Sequence, residues 1–278
     1  MDVENIVDPC VFNSLLTKNV PHILESIFLS LDYYSFNNCL NVNKAWNGLL
    51  TSESFKVKAK LLFHKEIEEE NKELFKATVL GEIAKVRKIL YSGMVDVNSV
   101  NRMYYDSTAL IEAVNRGKKQ MVKLLLHAGA DPNKGDKRGR TPLLWAVGNW
   151  DVFKVLLDAG AEPDKENDYG YTPLHMAACG SYKHAVKMLL EKGADPTKRD
   201  GKGRDALAHA AMNGQKDVVI FLLERGIDPT KRDRDGRSPF ALALEHKHNA
   251  TAKILIDHIF KSGNHQALYD QLVIMCER

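Results

Sequence analysis

The residues whose types could support chemistry do not form a constellation that matches a known site. Asp200 to Gly203 reads DGKG, which has glycines suited to a phosphate loop but lacks the third glycine and the preceding strand of a dinucleotide site. His246, His248 and His258 lie close together, but their intervals match no zinc motif. No Ser/His/Asp or Cys/His set stands at the spacing of a catalytic site. The sequence therefore predicts no catalytic residue, no metal site and no cofactor.

Cysteine usage and charge narrow the classes further. The cysteines are Cys10, Cys39, Cys179 and Cys276, and none forms a C-x-x-C pair, so neither a zinc knuckle nor a disulfide framework is indicated. The 278 residues carry a net charge of +3, which is too small for a protein held mainly by counterion release from nucleic acid. The opening MDVENIVDPC lacks a basic region before an apolar core. We therefore expect reduced thiols and a soluble, unsecreted protein of the cytoplasm and/or the nucleus.

The elements that must position these residues are repeated along the chain. The residues that open successive copies are Thr108, Thr141, Thr172, Asp205 and Ser238. They fall at intervals of 33, 31, 33 and 33 residues, and the glycines that close the copies, Gly129, Gly160, Gly193 and Gly226, fall at intervals of 31, 33 and 33 residues. A fixed period of this length is typical of a stacked repeat protein.

Each recurring residue type has a mechanical reason. Thr, Ser or Asp supplies an N-cap oxygen to a first helix, and a proline such as Pro173 suits its first position, where no backbone donor is needed. A second helix carries an apolar stripe and stops at a glycine suited to a left-handed C-cap. Between units, segments such as DPTKRDRDG favour tight hairpin turns. In the third unit Gly160 follows Thr141 by 19 positions, whereas the distance in its neighbours is 21, and we expect the deletion to lie in the turn between its helices.

The motif TPLHMAA with LLEKGADP resembles the ankyrin repeat. The resemblance covers residues 72–262 in six units and implies an all-α solenoid of helix-turn-helix units with β-hairpin fingers. It also implies that the ring of His175, in TPLH, makes hydrogen bonds within the repeat. Residues 263–278 are predicted to form a C-terminal capping helix.

The N-terminal part differs from the repeats. Residues 1–19 are predicted to be a flexible segment, and residues 20–63 are predicted to form three short helices. A segment of 44 residues is too short to form a stable core without a partner. The stretches VP, ILESIFLSLD and NVNKAWNGLL resemble an F-box. That resemblance implies docking onto a Skp-type adaptor of a cullin ubiquitin ligase. The implied contact residues are Pro21, Ile23, Leu24, Ile27 and Val42. The alternative is a helical cap that closes the first repeat.

A charged segment, residues 64–71, joins the two parts. It reads HKEIEEEN and contains no Gly or Pro, and Glu68 lies an i,i+4 step before Lys72. It is predicted to be a stiff helical linker, with a solvated helix face as the alternative.

The hairpin segments differ in charge. DPNKGDKRGR and DPTKRDGKGR each carry +2 and DPTKRDRDGR carries +1, whereas EPDKENDYGY carries −3. This alternation favours a protein partner of mixed charge over nucleic acid. Tyr and Arg anchor interfaces most often. The predicted target contacts in these segments are Arg138, Arg140, Tyr169, Tyr171, Arg204, Arg234 and Arg237. The alternative is that these charges only keep the surface soluble.

Two tryptophans receive different interpretations. Trp145 shares its position with Met176, His209 and Leu242 of other units and is predicted to be core. Trp150 lies in the shortened turn, and we expect it on the side where ankyrin proteins receive ligands, as an exposed target contact or a packing residue.

Two functions remain open from the sequence. In the first, the chain is the substrate-recognition subunit of a multi-subunit, cullin-type ubiquitin ligase, and catalysis belongs to other subunits. In the second, it is a plain ankyrin-repeat scaffold or inhibitor whose N-terminal helices only cap the solenoid. We expect no enzymatic activity in either case.

Overall fold

The computed structural model describes residues 64–91 and 95–263, together with residues 266, 269 and 273. The predicted F-box-like segment and its five contact residues lie outside the described residues, as does most of the predicted C-terminal capping helix. The chain divides into two compact parts between Ser99 and Val100. Within the described ranges, no helix is both long and apolar enough to cross a membrane.

The first part contains a packed helix pair, α1 (His64–Leu80) and α2 (Ile83–Tyr91). α1 buries Ile67, Leu74, Phe75 and Ala77, and α2 buries Val86 and Ile89. The backbone amide of Asp96 donates to Asn71 Oδ1 at 2.9 Å and so ties the following loop to α1. α1 crosses residue 72, the boundary predicted between linker and first repeat, without interruption.

The second part begins with a short hairpin and continues as helix pairs. The hairpin contains β1 (Val100–Asn101), a 3-10 helix (Arg102–Tyr104) and β2 (Ser107–Thr108), with the strands paired antiparallel. The first helices of the pairs are α3 (Ala109–Asn115), α5 (Pro142–Ala146), α7 (Pro173–Cys179), α9 (Ala206–Met212) and α11 (Pro239–Glu245). The second helices are α4 (Lys119–His127), α6 (Trp150–Asp158), α8 (Lys183–Glu191), α10 (Lys216–Glu224) and α12 (Asn249–Lys261). We number these pairs as repeats 2 to 6, and α1 with α2 as repeat 1.

The caps predicted from the sequence are confirmed. Each of the five predicted N-cap side chains accepts a hydrogen bond from the backbone amide three residues later, for example Thr172 Oγ1 from His175. Prolines begin α5, α7 and α11, where no backbone donor is required. Gly129, Gly160, Gly193 and Gly226 all take positive φ after a second helix, as the left-handed cap requires.

The core of the second part lies between adjacent helix pairs. Neighbouring first helices pack side by side, and several neighbouring second helices do the same. The first helices present small residues such as Ala146 and Ala177, both fully buried, so that adjacent backbones approach closely. The second helices bury a leucine at one recurring position: Leu125, Leu156, Leu189, Leu222 and Leu255. Each pair therefore depends on its neighbours for a complete core.

The deletion in repeat 3 lies in its first helix, which corrects the prediction that it lies in the turn. α5 has five residues where α3, α7, α9 and α11 each have seven. Residues 147–149 join α5 to α6, and an equally long segment, residues 180–182, joins α7 to α8. A chain reversal needs a set number of residues, whereas a helix can lose half a turn and remain capped at its start. Asn149 then caps α6 by accepting from the Val152 amide at 3.3 Å.

Candidate binding surface

The loops before the first helices form a row of fingers: finger 2 (residues 100–107), finger 3 (136–140), finger 4 (167–171), finger 5 (200–204) and finger 6 (233–237). In finger 3, Asp136 Oδ1 accepts from the backbone amides of Arg138 at 2.9 Å and Arg140 at 3.0 Å. Asn167, Asp200 and Asp233 accept in the same way in the next three fingers. Among the fingers described, paired strands occur only in finger 2. In the other four, the side-chain oxygen stabilises the turn together with backbone bonds such as that from the Asp136 amide to the Arg140 carbonyl at 3.0 Å.

Backbone hydrogen bonds join each finger to the one before it. The Lys137 amide donates to the Tyr105 carbonyl at 2.8 Å, and the Asp168 amide donates to the Arg138 carbonyl at 3.1 Å. Equivalent bonds link finger 4 to finger 5 and finger 5 to finger 6. The fingers therefore present their outward side chains as one ordered array.

Three of the predicted target contacts are engaged within their own fingers. Arg140 Nε donates to Asp136 Oδ2 at 2.8 Å, and Arg237 Nε donates to Asp233 Oδ2 at 3.1 Å. Arg204 is 5 % exposed, and its Nε lies 3.6 Å from Asp200 Oδ2, an ion pair too long for a hydrogen bond. In these fingers the Asp-x-x-Gly-Arg pattern first serves the turn, and the role of these arginines as target contacts stays a prediction.

Four other predicted target contacts are exposed to solvent. Arg138 and Arg234 are exposed, and Tyr169 is 56 % exposed at the tip of finger 4. Trp150 is 45 % exposed and is the first residue of α6. The centroid of its ring lies 6.3 Å from that of Phe153 and 5.9 Å from that of His184. Trp150 thus belongs to a second helix, not to a finger or a first helix, which corrects its expected location.

Tyr171 is half-buried in a cluster of rings. Its ring centroid lies 5.2 Å from that of His209 and 6.2 Å from that of His175. The Thr172 amide donates to His175 Nδ1 at 3.0 Å, so His175 Nε2 carries the proton and donates to the Lys198 carbonyl at 3.0 Å. These bonds confirm the expected structural role of the His175 ring.

Burial shifts the acid-base properties of this cluster. His209 Nε2 lies 2.9 Å from Asp200 Oδ2. Burial, aided by the nearby His175, nevertheless lowers the pKa of His209 to about 4, because Asp200 offsets only part of the desolvation. The pKa of His175 is also lowered, chiefly by burial. Burial pushes the pKa of Asp200 up, but amide hydrogen bonds from Arg204 and Lys202 and the His209 charge outweigh it, so the net shift is downward.

A pocket between fingers 2 and 3 contains residues that sequence reasoning missed. It has a volume of about 390 Å³ and is lined by residues of both fingers and of the first helices α3 and α5. Trp145 lines it and is only partly buried, which corrects its assignment to the core. Tyr104, Tyr105 and Glu112 also line it. The available signal was finger 2 itself, where NRMYYDS replaces the Asp-x-x-Gly or Asn-x-x-Gly pattern of the other fingers.

The residues that the sequence analysis considered as candidates for phosphate, metal or thiol chemistry are described by the structure only in part. DGKG is the tight turn of finger 5, as predicted. Among the residues that the structure describes, no group of His, Cys, Asp and Glu could hold a metal ion. Cys179, the free cysteine of the described region, has its thiol pKa raised by burial.

Comparison with protein families places these features in a class. The model for ankyrin repeats in three copies matches residues 74–167, 110–200 and 148–233. These matches together cover more than half of the chain, so the chain belongs to the ankyrin-repeat family. Ankyrin repeats form a protein-binding scaffold, and the row of fingers is the surface that such a scaffold offers.

Individual relatives resemble parts of this chain. Protein HOS4 of Saccharomyces cerevisiae is 60 % identical over 40 residues, 14 % of this chain and 4 % of that protein. A putative ankyrin repeat-containing protein of Treponema pallidum is 47 % identical over 57 residues, 20 % of this chain and 18 % of that protein. The mouse 2-5A-dependent ribonuclease is 36 % identical over 78 residues, 28 % of this chain and 10 % of that protein. The chain therefore spans less than a fifth of the length of each relative.

Proposed function

We propose that this chain is the substrate-recognition subunit of a cullin-type ubiquitin ligase in the cytoplasm or the nucleus. Residues 20–63 dock onto a Skp-type adaptor, and the fingers and first helices hold a target protein. The ankyrin family membership supports the protein-binding half of this proposal. Catalysis belongs to other subunits of the assembly.

The observation that carries the ligase half is the order of motifs in residues 20–63: VP, then ILESIFLSLD, then NVNKAWNGLL. α1 begins at His64, directly after this segment, and continues to Leu80 as one helix of repeat 1. A helix, not a flexible linker, therefore joins the adaptor-binding segment to the first repeat.

Co-purification with a Skp-type adaptor tests the ligase half. The wild-type chain is expected to bind purified adaptor, and Leu24→Asp with Ile27→Asp is expected to abolish binding, because two carboxylates would be buried in an apolar contact. Leu15→Asp with Leu16→Asp is the matched control, since it adds the same charges within the predicted N-terminal segment. Failure of the wild type to bind, or equal loss in both variants, would contradict the proposal.

Tyr169 is the sharper test of the target surface. A double substitution of Tyr169 and Tyr171 would also disturb stability, because Tyr171 packs against His175 and His209. Tyr169→Ala alone is expected to weaken target binding about tenfold without lowering the melting temperature, since an exposed interface tyrosine contributes about 1 to 2 kcal/mol. The measurement is quantitative recovery of bound proteins, with Tyr182→Ala, which removes another exposed tyrosine from the start of α8, as control. Unchanged recovery would remove Tyr169 from the target surface.

The plain scaffold is the second candidate, and one observation favours it. Ile67 lies in the second turn of α1 and is only 6 % exposed, so packing against the helix pair begins close to the F-box-like segment. A cap formed by residues 20–63 would extend that packing.

A further inference from the structure

The pocket between fingers 2 and 3 has a defined floor and two different walls. Glu112 and Trp145 form part of the floor and occupy the same position, four residues after the N-cap, in α3 and α5. Tyr104 and Tyr105 line it from finger 2, and Arg138 lines it from finger 3. The volume of about 390 Å³ suits a short stretch of peptide with one or two side chains inserted.

The backbone of finger 2 is held in a costly conformation beside this pocket. Tyr105 has φ of +56° and Asp106 has φ of +55°, the left-handed region that favours glycine. Finger 3 meets the same requirement with Gly139, at φ of +69°. Tyr105 is 65 % exposed, so burial of its ring does not offset the strain. Strain of this kind at an exposed aromatic residue is typical of a binding site.

The acidic groups of the pocket are already partnered. Asp136 Oδ2 accepts from Arg140 Nε and pairs with Arg140 Nη2, each at 2.8 Å. The Glu112 carboxylate lies 3.5 Å from Arg116 Nε and accepts from Ser107 Oγ at 3.3 Å. These contacts leave the carboxylates little capacity to attract a cationic ligand.

Two side chains at the pocket, Trp145 and Arg138, differ in what they can offer a ligand. Trp145 Nε1 is buried and makes no hydrogen bond, while the Arg140 guanidinium lies 4.2 Å from the ring centroid and fixes the indole. Across the residues that the structure describes, no acidic side chain pairs with the Arg138 guanidinium. The indole therefore offers a ligand the surface of its ring, while the exposed, unpaired Arg138 cation favours a ligand that supplies acceptor oxygens.

The charges of fingers 2 and 3 also favour an acidic ligand. Fingers 2 and 3 carry the basic residues Arg102, Lys137, Arg138 and Arg140 against the acids Asp106 and Asp136. The segment that follows, residues 162–171, ends in finger 4 and carries −3, so the positive region is local and does not extend as the track that a nucleic-acid backbone requires. A short acidic segment of a protein fits this pattern better.

We infer that this pocket binds an acidic peptide segment of the target protein. One carboxylate of the segment pairs with Arg138, and its apolar atoms rest on Tyr104, Tyr105 and the Trp145 ring. The inference rests on the proposed protein-binding function and assigns the chemistry of the partner to one place on the finger array.

The experiment follows the indole N–H resonances of the full chain in two-dimensional ¹H–¹⁵N NMR spectra. The chain has three tryptophans, so Trp145→Phe and Trp150→Phe assign all three indole signals. Three probes are titrated: octapeptides that alternate Asp or Glu with aromatic residues, the same octapeptides with Asn or Gln for the acids, and an eight-nucleotide oligothymidylate. The acidic peptides are expected to shift the Trp145 indole signal and to leave the Trp150 signal in place.

Matched charge removals locate the carboxylate. Arg138→Gln is expected to weaken binding of the acidic peptides about tenfold, because it removes the pairing cation. Lys202→Gln removes the same charge at the equivalent position of finger 5 and is expected to change binding by less than about twofold. Both residues are exposed, so both variants are expected to retain the wild-type circular dichroism melt.

The contrary outcomes separate the two proposals. Equal binding of the amide peptides, or a Trp145 shift caused by the oligothymidylate, overturns the acidic-peptide inference. If both substitutions weaken peptide binding equally and the Trp145 signal does not move, the inference that the peptide binds in this pocket is wrong. Protein binding by the fingers would still be supported. Absence of peptide binding overturns the pocket inference too, but it leaves the proposed function to its own two tests, co-purification with the adaptor and recovery of bound proteins.

Discussion

One recurring position of the first helices is buried in some repeats and accessible for contact in others. The residues four positions after the N-caps are Glu112, Trp145, Met176, His209 and Leu242. Leu242 and His209 are buried, Met176 is 40 % exposed, and Trp145 lines the pocket. The backbone is the same in each case, so the side chain at this position decides whether a stretch of the surface packs or is available for contact.

His209 makes the stability of the fold depend on pH. Its pKa is about 4 in the folded chain and about 6.5 when unfolded, so the unfolded chain binds the proton first as the pH falls. The folded chain therefore loses no free energy of unfolding to protonation of His209 well above pH 6.5, and the loss grows as the pH falls toward 4. We expect this residue alone to lower the free energy of unfolding by about 2 kcal/mol between pH 7.5 and pH 5, measured by urea denaturation.

Two variants isolate that contribution. His209→Leu introduces the residue that repeat 6 has at this position and is expected to reduce the loss of stability between pH 7.5 and pH 5. Some dependence is expected to remain, because burial also lowers the pKa of His175. His127→Gln, in an exposed position of α4, is the control and is expected to keep the wild-type dependence. Equal pH profiles for wild type and His209→Leu would contradict this account.

At the scale of elements, the sequence predicted where the first helices begin and where the second helices end, because each of these boundaries depends on one side chain and its near neighbours. Thr141 and Gly160 fulfil their capping roles within a few residues of their own positions. The burial of Arg204 was not predictable in this way, because its guanidinium reaches Met212 Sδ, eight residues further along the chain at the end of α9. The same limit applies to Trp145, whose exposure depends on the shape of finger 2, a loop without the standard pattern.

The cap of α7 can be measured with a matched pair of substitutions. Thr172 is buried, and both Thr172→Ser and Thr172→Ala remove its methyl group, but only the alanine removes the oxygen that accepts from the His175 amide. We expect Thr172→Ala to be less stable than Thr172→Ser by about 1 kcal/mol in urea denaturation. Equal stability of the two variants would show that the hydroxyl contributes nothing measurable to the start of α7.

At the scale of the whole chain, each repeat is stabilised mainly by its neighbours. Between residues 100 and 263, the helix pairs bury their small and leucine residues against adjacent pairs, and backbone bonds join successive fingers. A row of this kind tolerates different side chains at each finger, because the turns are held by Asp or Asn and by backbone bonds. The exposed fingertips can therefore vary in charge without changing the fold, as fingers 3 and 4 do.

Truncation separates the two proposed roles of residues 1–63. If residues 20–63 serve an adaptor, a chain of residues 65–278 is expected to melt within about 2 °C of the full chain, less than the shift that 1 kcal/mol produces in a domain of this size. If they cap repeat 1, the same truncation lowers the melting temperature by far more, because it uncovers apolar surface that the cap protects. A chain of residues 83–278 is the positive control, since it removes the core residues Leu74 and Phe75 and must destabilise repeat 1. A 65–278 chain that melts as early as this control would favour the plain scaffold, and the adaptor-binding proposal would then depend on co-purification alone.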